Sequence, residues 1–294
     1  MVKRYKGIIC IILSAFCFAL MNMFVRLSGD IPSVQKSFFR NFVAFIFAAV
    51  LLWKDRIPLR CKTGNLKYLF MRAGFGTIGI LCNFYAVDHL VLADASMLNK
   101  MSPFFAIVFS FFILKERVKP FQAAAVAGAF IGSLFIIKPT FTNMDLVPAL
   151  IGFLGGMGAG AAYTMVRVLG ERGEKGPFIV CFFSGFSCLA TLPFLIFGFQ
   201  GMELWQLGML LLAGLAASGG QFAITAAYCC APAREISIYD YSQIIFSAVL
   251  GFFVFGQVPD ALSWLGYIII CMMAVMMFIY NNREEHGNES NSAD

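Results

Sequence analysis

"ADASMLNKMSPFF", residues 93–105, decides how this chain is read. From Met101 to Leu114 the sequence is almost wholly apolar, and it is apolar again from Phe121 to Ile137. Inside that setting stand Asn99, Lys100 and Pro103. A lysine at the centre of a membrane helix costs about 2.5–3.5 kcal/mol on insertion scales, so its presence asks for a reason. The surrounding composition says that the medium is lipid. Of 294 residues, 60% are hydrophobic and 13% charged, with 34 Phe and 15 Met, and the mean hydropathy is +0.80. A soluble domain normally carries about twice that share of charge. The class is therefore an all-α integral membrane protein.

Hydropathy divides the chain into ten transmembrane spans, at residues 7–29, 37–53, 68–90, 95–114, 119–137, 148–168, 178–198, 207–229, 236–256 and 261–280. The loops are short, so neighbouring helices run antiparallel. The N-terminal MVKRYK precedes an apolar run, Gly7–Leu27, that is too long for a signal-peptide core and reads as a retained first span. The polar end, residues 281–294, is expected to be a disordered cytoplasmic tail. With the N-terminus in the cytoplasm, sixteen Lys and Arg fall at inner segments and four at outer ends (Arg26, Lys36, Arg40 and Lys138), while Arg72 and Lys100 lie within spans. That bias puts both termini inside a cell membrane, a bacterial inner or plasma membrane. The net charge of +6 is then a topology signal with contact to anionic lipid, and implies no nucleic-acid partner. Eight of the nine cysteines lie in apolar segments and read as packing residues. With no CxxC and only His89 and His286, no metal site and no cofactor is expected.

The chain also repeats itself at an offset of 141 residues. "FVRLSG" (24–29) falls on "MVRVLG" (165–170), Phe42 and Phe45 on Phe183 and Phe186, Ala86 and Ser96 on Ala227 and Ser237, and Phe111 and Phe112 on Phe252 and Phe253. The fold class is accordingly ten transmembrane helices as two inverted five-helix repeats, 1–141 and 142–280. An odd number of spans turns the second half upside down relative to the first. Two such halves can exchange conformations around a site near the midplane. A duplication that merely packs well is the plainer alternative.

Particular segments carry a family resemblance. "FFRNFVAFIFAAVLLW" (38–53) resembles the second span of the drug/metabolite transporter superfamily, EamA type. "FYAVDHLVLADASMLNKMSPFFAIVFSFFILKERV" (84–118) resembles its third-to-fourth span signature, and "GAGAAYTMVRVLGERG" (158–173) is similar to its sixth. "AREISIYDYSQIIFSAVLGFFVFGQ" (233–257) matches the ninth more loosely, with Ile244 where the family has Pro and Gly256–Gln257 where it has Gly-Glu. The resemblance implies a ten-span secondary transporter of small metabolites, commonly an exporter. It also places spans 1, 3, 4, 6, 8 and 9 around the cavity and leaves 2, 5, 7 and 10 peripheral.

On a helix of about 100° per residue, Ser96, Asn99, Lys100 and Pro103 share one arc of about 100°. Pro103 cannot donate to the carbonyl of Asn99, which makes it a helix kink with a spare acceptor beside Lys100. The alternative for Lys100 is to snorkel to the outer surface. By the repeat, Ser96, Asn99 and Lys100 correspond to Ser237, Asp240 and Tyr241. Asp240 is either an amine- or proton-binding carboxylate or a partner for Arg234 near the inner edge. The candidate substrate-binding set is Lys100, Asn99, Ser96, Asp240 and Tyr241, with Tyr163 and Gln221 added from the cavity-lining spans. For each of those last two, a helix–helix hydrogen bond or an interfacial anchor is the plainer reading. Lys100→Met removes a desolvation cost and is expected to keep the fold. Gly152, Gly156 and Gly160, like Gly128 and Gly132, form GxxxG faces for close packing.

The partners implied are a small polar or amphiphilic metabolite such as an amino acid, the lipid bilayer, and a driving gradient of protons or of substrate. A membrane scaffold or regulatory partner that transports nothing is the alternative from another class. No nucleophile–base pair, HExxH or Walker motif is present, so an embedded enzyme is not expected. Topology is directly testable. A reporter that is active only in the cytoplasm should work when fused at either terminus, and one active only outside should be silent at both. Activity of the second kind at either end contradicts the charge bias.

Overall fold

The computed structural model describes residues 2–58, 60–90, 92–138, 146–256 and 258–291. Among the described residues, ten helical segments are long and apolar enough to cross a bilayer: Lys3–Leu27, Ser33–Lys54, Leu66–Ala86, Ser96–Leu114, Pro120–Ile137, Leu146–Glu171, Gly176–Gly198, Leu204–Cys230, Ala233–Phe255 and Ala261–Arg283, here spans 1 to 10. No strand occurs among the described residues. The boundary between the halves at 141 lies outside the described residues. Ten crossings bring both termini to one side, called the terminus face below. Trp53, Phe197 and Phe253 are strongly exposed while Ile11, Val166, Leu169 and Ile224 are buried, the inside-out arrangement of a helix bundle in lipid.

Helix pairing is reciprocal between the halves. Span 1 packs along span 8 as span 6 packs along span 3, and span 4 lies on span 6 as span 9 lies on span 1. Spans 2 and 7 pair with each other, as do spans 5 and 10. Exchange of the two halves leaves this pairing unchanged, which fits an inverted repeat. Local geometry follows the same offset. Lys115 ends span 4 in the left-handed region with φ 56°, and its repeat equivalent Gly256 ends span 9 with φ 64°.

Glycine decides how closely spans 4 and 6 approach. A Cβ on Gly156 would stand 2.4 Å from the carbonyl oxygen of Leu98, and one on Gly160 would stand 2.5 Å from the Phe105 Cβ. On the same helix, Gly155 and Gly158 meet the backbone of span 3 at Gly79 and Phe75. Span 6 is therefore a ridge of bare backbone that holds span 4 on one side and span 3 on another. Gly132 and Gly266 provide the same contact between spans 5 and 10. The GxxxG faces read from the sequence are these packing faces.

Two expectations change. Pro103 does not kink a continuous helix: the helix stops at Asn99, turns through Lys100 and Met101, and restarts at Ser102. Pro103 then sits in the first turn of the new piece, where a missing N–H removes no bond. The polar segment after Tyr280 continues the last helix to Asn291. Its first residues have partners, because Arg4 donates to the Asn281 carbonyl at 3.0 Å and Gln122 to the Asn281 side chain at 3.2 Å. Substitution tests the glycine ridge. Gly156→Val should lower the unfolding temperature in detergent, by an overpacking cost of about 1–3 kcal/mol. Gly208→Ala, where nothing lies within 4 Å, should not lower it. Equal stability of the two variants contradicts a backbone-to-backbone contact at Gly156.

Candidate functional site

Both broken spans break at the same place in the repeat. Span 4 is interrupted at Lys100–Met101, and span 9 passes through a 3-10 turn, Ser237–Tyr241, before its main helix, Ser242–Phe255. Tighter or interrupted turns at membrane depth persist where protein or interior space surrounds them. Here the two breaks face each other. The Lys100 Nζ lies 3.0 Å from the Asp240 Oδ2 and donates to the Gln243 Oε1 at 2.7 Å and to the Asp240 carbonyl at 3.4 Å. In return, the Tyr241 hydroxyl donates to the Lys100 carbonyl at 3.0 Å. Positions 100 and 241, equivalent in the repeat, each send a side chain to the other half's broken backbone.

Burial is deep. Lys100 and Asp240 are each 7% exposed, and Tyr241 is fully buried. Lys100 therefore does not snorkel. Asp240 does not serve Arg234, which lies instead 3.9 Å from Glu235 and donates to the Arg117 carbonyl at 3.1 Å. Beside the pair, the Tyr163 and Tyr228 rings stack with centroids 5.0 Å apart, and the Tyr228 hydroxyl is 3.2 Å from the Ser237 Oγ. Tyr163 lies close enough to Asp240 to feel its charge.

The remaining sequence candidates stand further off. Ser96 and Asn99 are half-buried on the turn before the break; the Ser96 carbonyl accepts from the Lys100 N–H at 3.0 Å, and neither side chain makes a hydrogen bond among the described residues. Gln221 is buried but turned along its own helix, 3.5 Å from the Thr225 Oγ1. Gln243 was missed by the sequence reading. Its signal was its place one turn after Asp240, on the same face of span 9.

Equivalent positions at the two faces of the bundle make different contacts. At the terminus face, the Arg167 Nε lies 3.4 Å from the Glu116 Oε1 and its Nη2 lies 2.8 Å from Glu171, joining span 6 to the end of span 4. Burial raises the Glu116 carboxyl above its ordinary pKa, with Arg167 pulling the other way. At the opposite face, the repeat equivalent of Arg167 is Arg26, whose guanidinium lies 4.5 Å from the Phe255 ring centroid. The repeat equivalent of Glu116 is Gln257, which lies outside the described residues. A separate surface cleft of about 500 Å³ sits between loops at the terminus face, lined by Arg60, Lys62 and Glu174 among others. Glu174 fastens those loops by accepting from the Lys62 N–H at 2.9 Å and from Asn65 at 2.8 Å, so this cleft is a loop junction apart from the buried pair.

Comparison with known proteins gives one consistent family. The sequence model of the EamA-like transporter family matches residues 5–138. The chain is 30% identical to the pseudopaline exporter CntI of Pseudomonas aeruginosa (strain UCBPP-PA14) over 274 residues, 92% of this chain and 95% of that protein. It is 26% identical to a riboflavin transporter of Brucella anthropi over 274 residues, 86% of this chain and 91% of that one. A solved crystal structure overlays with a TM-score of 0.83 at 13% identity, over 96% of this chain and 99% of that chain, a likeness of fold. The family and these named relatives are membrane transporters rather than enzymes.

The pairing reverses the expectation for Lys100→Met. Removing Lys100 leaves Asp240 buried and uncompensated, at a cost of about 3–5 kcal/mol. Lys100→Met and Asp240→Asn should each lower the unfolding temperature, and the double variant should recover much of the loss. The coupling energy expected from the cycle is about 0.5–3 kcal/mol. Additive losses contradict a direct contact.

Proposed function

Because the chain belongs to the EamA-like transporter family, we propose that it is a secondary transporter, exporting small polar or amphiphilic metabolites across a cell membrane, with both termini in the cytoplasm. The observation that carries this reading is the Lys100–Asp240 pair, which joins two broken helices from opposite halves. A buried pair between mobile halves is a latch that a ligand can open. A substrate with a carboxylate and an amine would offer the carboxylate to Lys100 and the amine to Asp240, replacing one pair with two. Gln243 would hold the lysine head during the exchange. The stacked Tyr163 and Tyr228 would accept an apolar body. Export follows the direction in the name of the relative called a pseudopaline exporter.

Alternating access is the motion this arrangement supports. An inverted repeat would supply two equivalent bundles, and the tie at the terminus face between Arg167 and Glu116 supports a closure on that side of the site. Opening that side would require breaking this tie, and Arg26 is the repeat equivalent of Arg167 in the first half. Driving force comes from a proton or substrate gradient. A proton on Asp240 would release Lys100 as a substrate does, so the carboxylate is the group through which a proton gradient would couple.

Counterflow in proteoliposomes with labelled amino acids tests this reading. The wild-type protein should exchange at least one amine-bearing substrate. Asp240→Asn should slow that exchange about tenfold or more, with less effect on the deaminated analogue, and should flatten the pH profile of flux. Unchanged selectivity together with an unchanged pH profile excludes both roles of Asp240. Absence of any flux across amino acids and related metabolites returns the chain to a scaffold.

A further inference from the structure

Two arginines inside the bundle lack anything to neutralise them. Arg72 of span 3 is 2% exposed, and its Nε has no hydrogen-bond partner. The Nε of Arg40 in span 2 is likewise buried and unpaired. Among the described residues neither guanidinium has a carboxylate or carbonyl acceptor. Each lies against an aromatic ring, Arg72 with its Cζ 4.0 Å from the Phe183 centroid and Arg40 5.9 Å from that of Phe18. A ring answers a cation through its π face and supplies no acceptor for the in-plane N–H groups. Gly76 makes the space that Arg72 occupies, since a Cβ there would stand 2.3 Å from the Arg72 Nη1.

The two arginines converge. Spans 2 and 3 enter the membrane from opposite faces. Arg40 is seven residues beyond Ser33 and Arg72 six beyond Leu66, so each lies about 10 Å along its helix. In a hydrocarbon core about 30 Å thick, long side chains from these depths reach toward the middle. Spans 2 and 3 both pack against span 7, which carries the Phe183 ring under Arg72, and Tyr163 of span 6 stands within electrostatic reach of both arginines and of Asp240. Arg40 and Tyr163 are enclosed by helices yet keep accessible surface, as residues do that line interior space. Span 2, expected to be peripheral, thus contributes to the same interior as spans 4, 6 and 9.

Charge decides the chemistry. Lys100 and Asp240 cancel, and Arg40 and Arg72 remain. A buried arginine costs about 2.5–3.5 kcal/mol on insertion scales, and two of them uncompensated mark a place where something anionic belongs. We propose that Arg40 and Arg72 form an anion subsite beside the Lys100–Asp240 pair, selecting a substrate that carries two negative charges, as two carboxylates or a phosphate monoester. Planar guanidinium heads suit either group through paired N–H donors. This inference rests on the transport reading and narrows its substrate class.

The test uses the full chain in detergent and in proteoliposomes, with L-glutamate, O-phospho-L-serine and L-glutamine as probes. At least one dianionic-headed probe should raise the unfolding temperature and drive counterflow at concentrations about tenfold or more below those needed for glutamine. Arg72→Gln and Arg40→Gln should each erase that preference. Neither should lower the unliganded unfolding temperature, because each removes an uncompensated buried charge. Arg72→Lys, which keeps the charge, should retain part of the preference. Glutamine matching the other two probes in the wild type, no probe stabilising it, or an unchanged preference in both Gln variants overturns the subsite. Lower unliganded stability of the Gln variants with preference intact makes the arginines structural and overturns it too. If the anions bind with the stated preference but no solute moves, the subsite stands and the transport reading fails.

Discussion

The contact between the Lys100 ammonium and the Asp240 carboxylate, 3.0 Å apart and almost sealed from solvent, constrains the rest of this structure. Each charge is costly alone at this depth, and the contact between the two halves pairs them. That requires two helices to be interrupted at matching places, one at Lys100–Met101 and the other in the turn Ser237–Tyr241. The interruptions expose backbone, and the same side chains answer it, Tyr241 to the Lys100 carbonyl and Lys100 to that of Asp240. The glycine ridge of span 6 lets the broken backbone of span 4 approach closely enough to hold this register. Packing, backbone geometry and charge pairing thus depend on one another, and the pair is where they meet.

Much of this was legible in the sequence because it rests on periodicity. Lipid exposure makes every span apolar, so hydropathy marks all ten, and the offset of 141 aligns residues that the structure places at equivalent turns. Lys100 and Asp240 were visible as charges where charge is costly, and the repeat set them at neighbouring positions of equivalent helices, Lys100 matching Tyr241 and Asn99 matching Asp240. Pro103 was visible too, but its effect was misjudged. A proline alone bends a helix, whereas here Lys100 and Met101 also leave the helical path, and the restart at Ser102 makes Pro103 an ordinary first-turn residue.

What the sequence withheld depends on three-dimensional proximity. Gln243 is one polar residue in span 9, and only the position of the Lys100 head gives it a role. Arg40 looked like an interfacial charge at the start of span 2, and Arg72 was only an anomaly in span 3. Their significance comes from missing acceptors, a property of surroundings that no local pattern encodes. Ser96, Asn99 and Gln221 illustrate the converse. Ser96 and Asn99 share the expected helical arc with Lys100, yet their side chains make no hydrogen bond among the described residues, and a neighbour on its own helix takes Gln221.

The central claim is that the Lys100–Asp240 pair opens when substrate binds. Isotope-edited infrared difference spectroscopy reports this directly, through the carboxylate stretch of Asp240 in protein labelled with carbon-13 aspartate. On addition of a substrate found by counterflow, a carboxylate band should shift in the wild type, and that difference should be missing in Asp240→Asn. A protein that binds and moves its substrate with the Asp240 band unchanged would contradict the account.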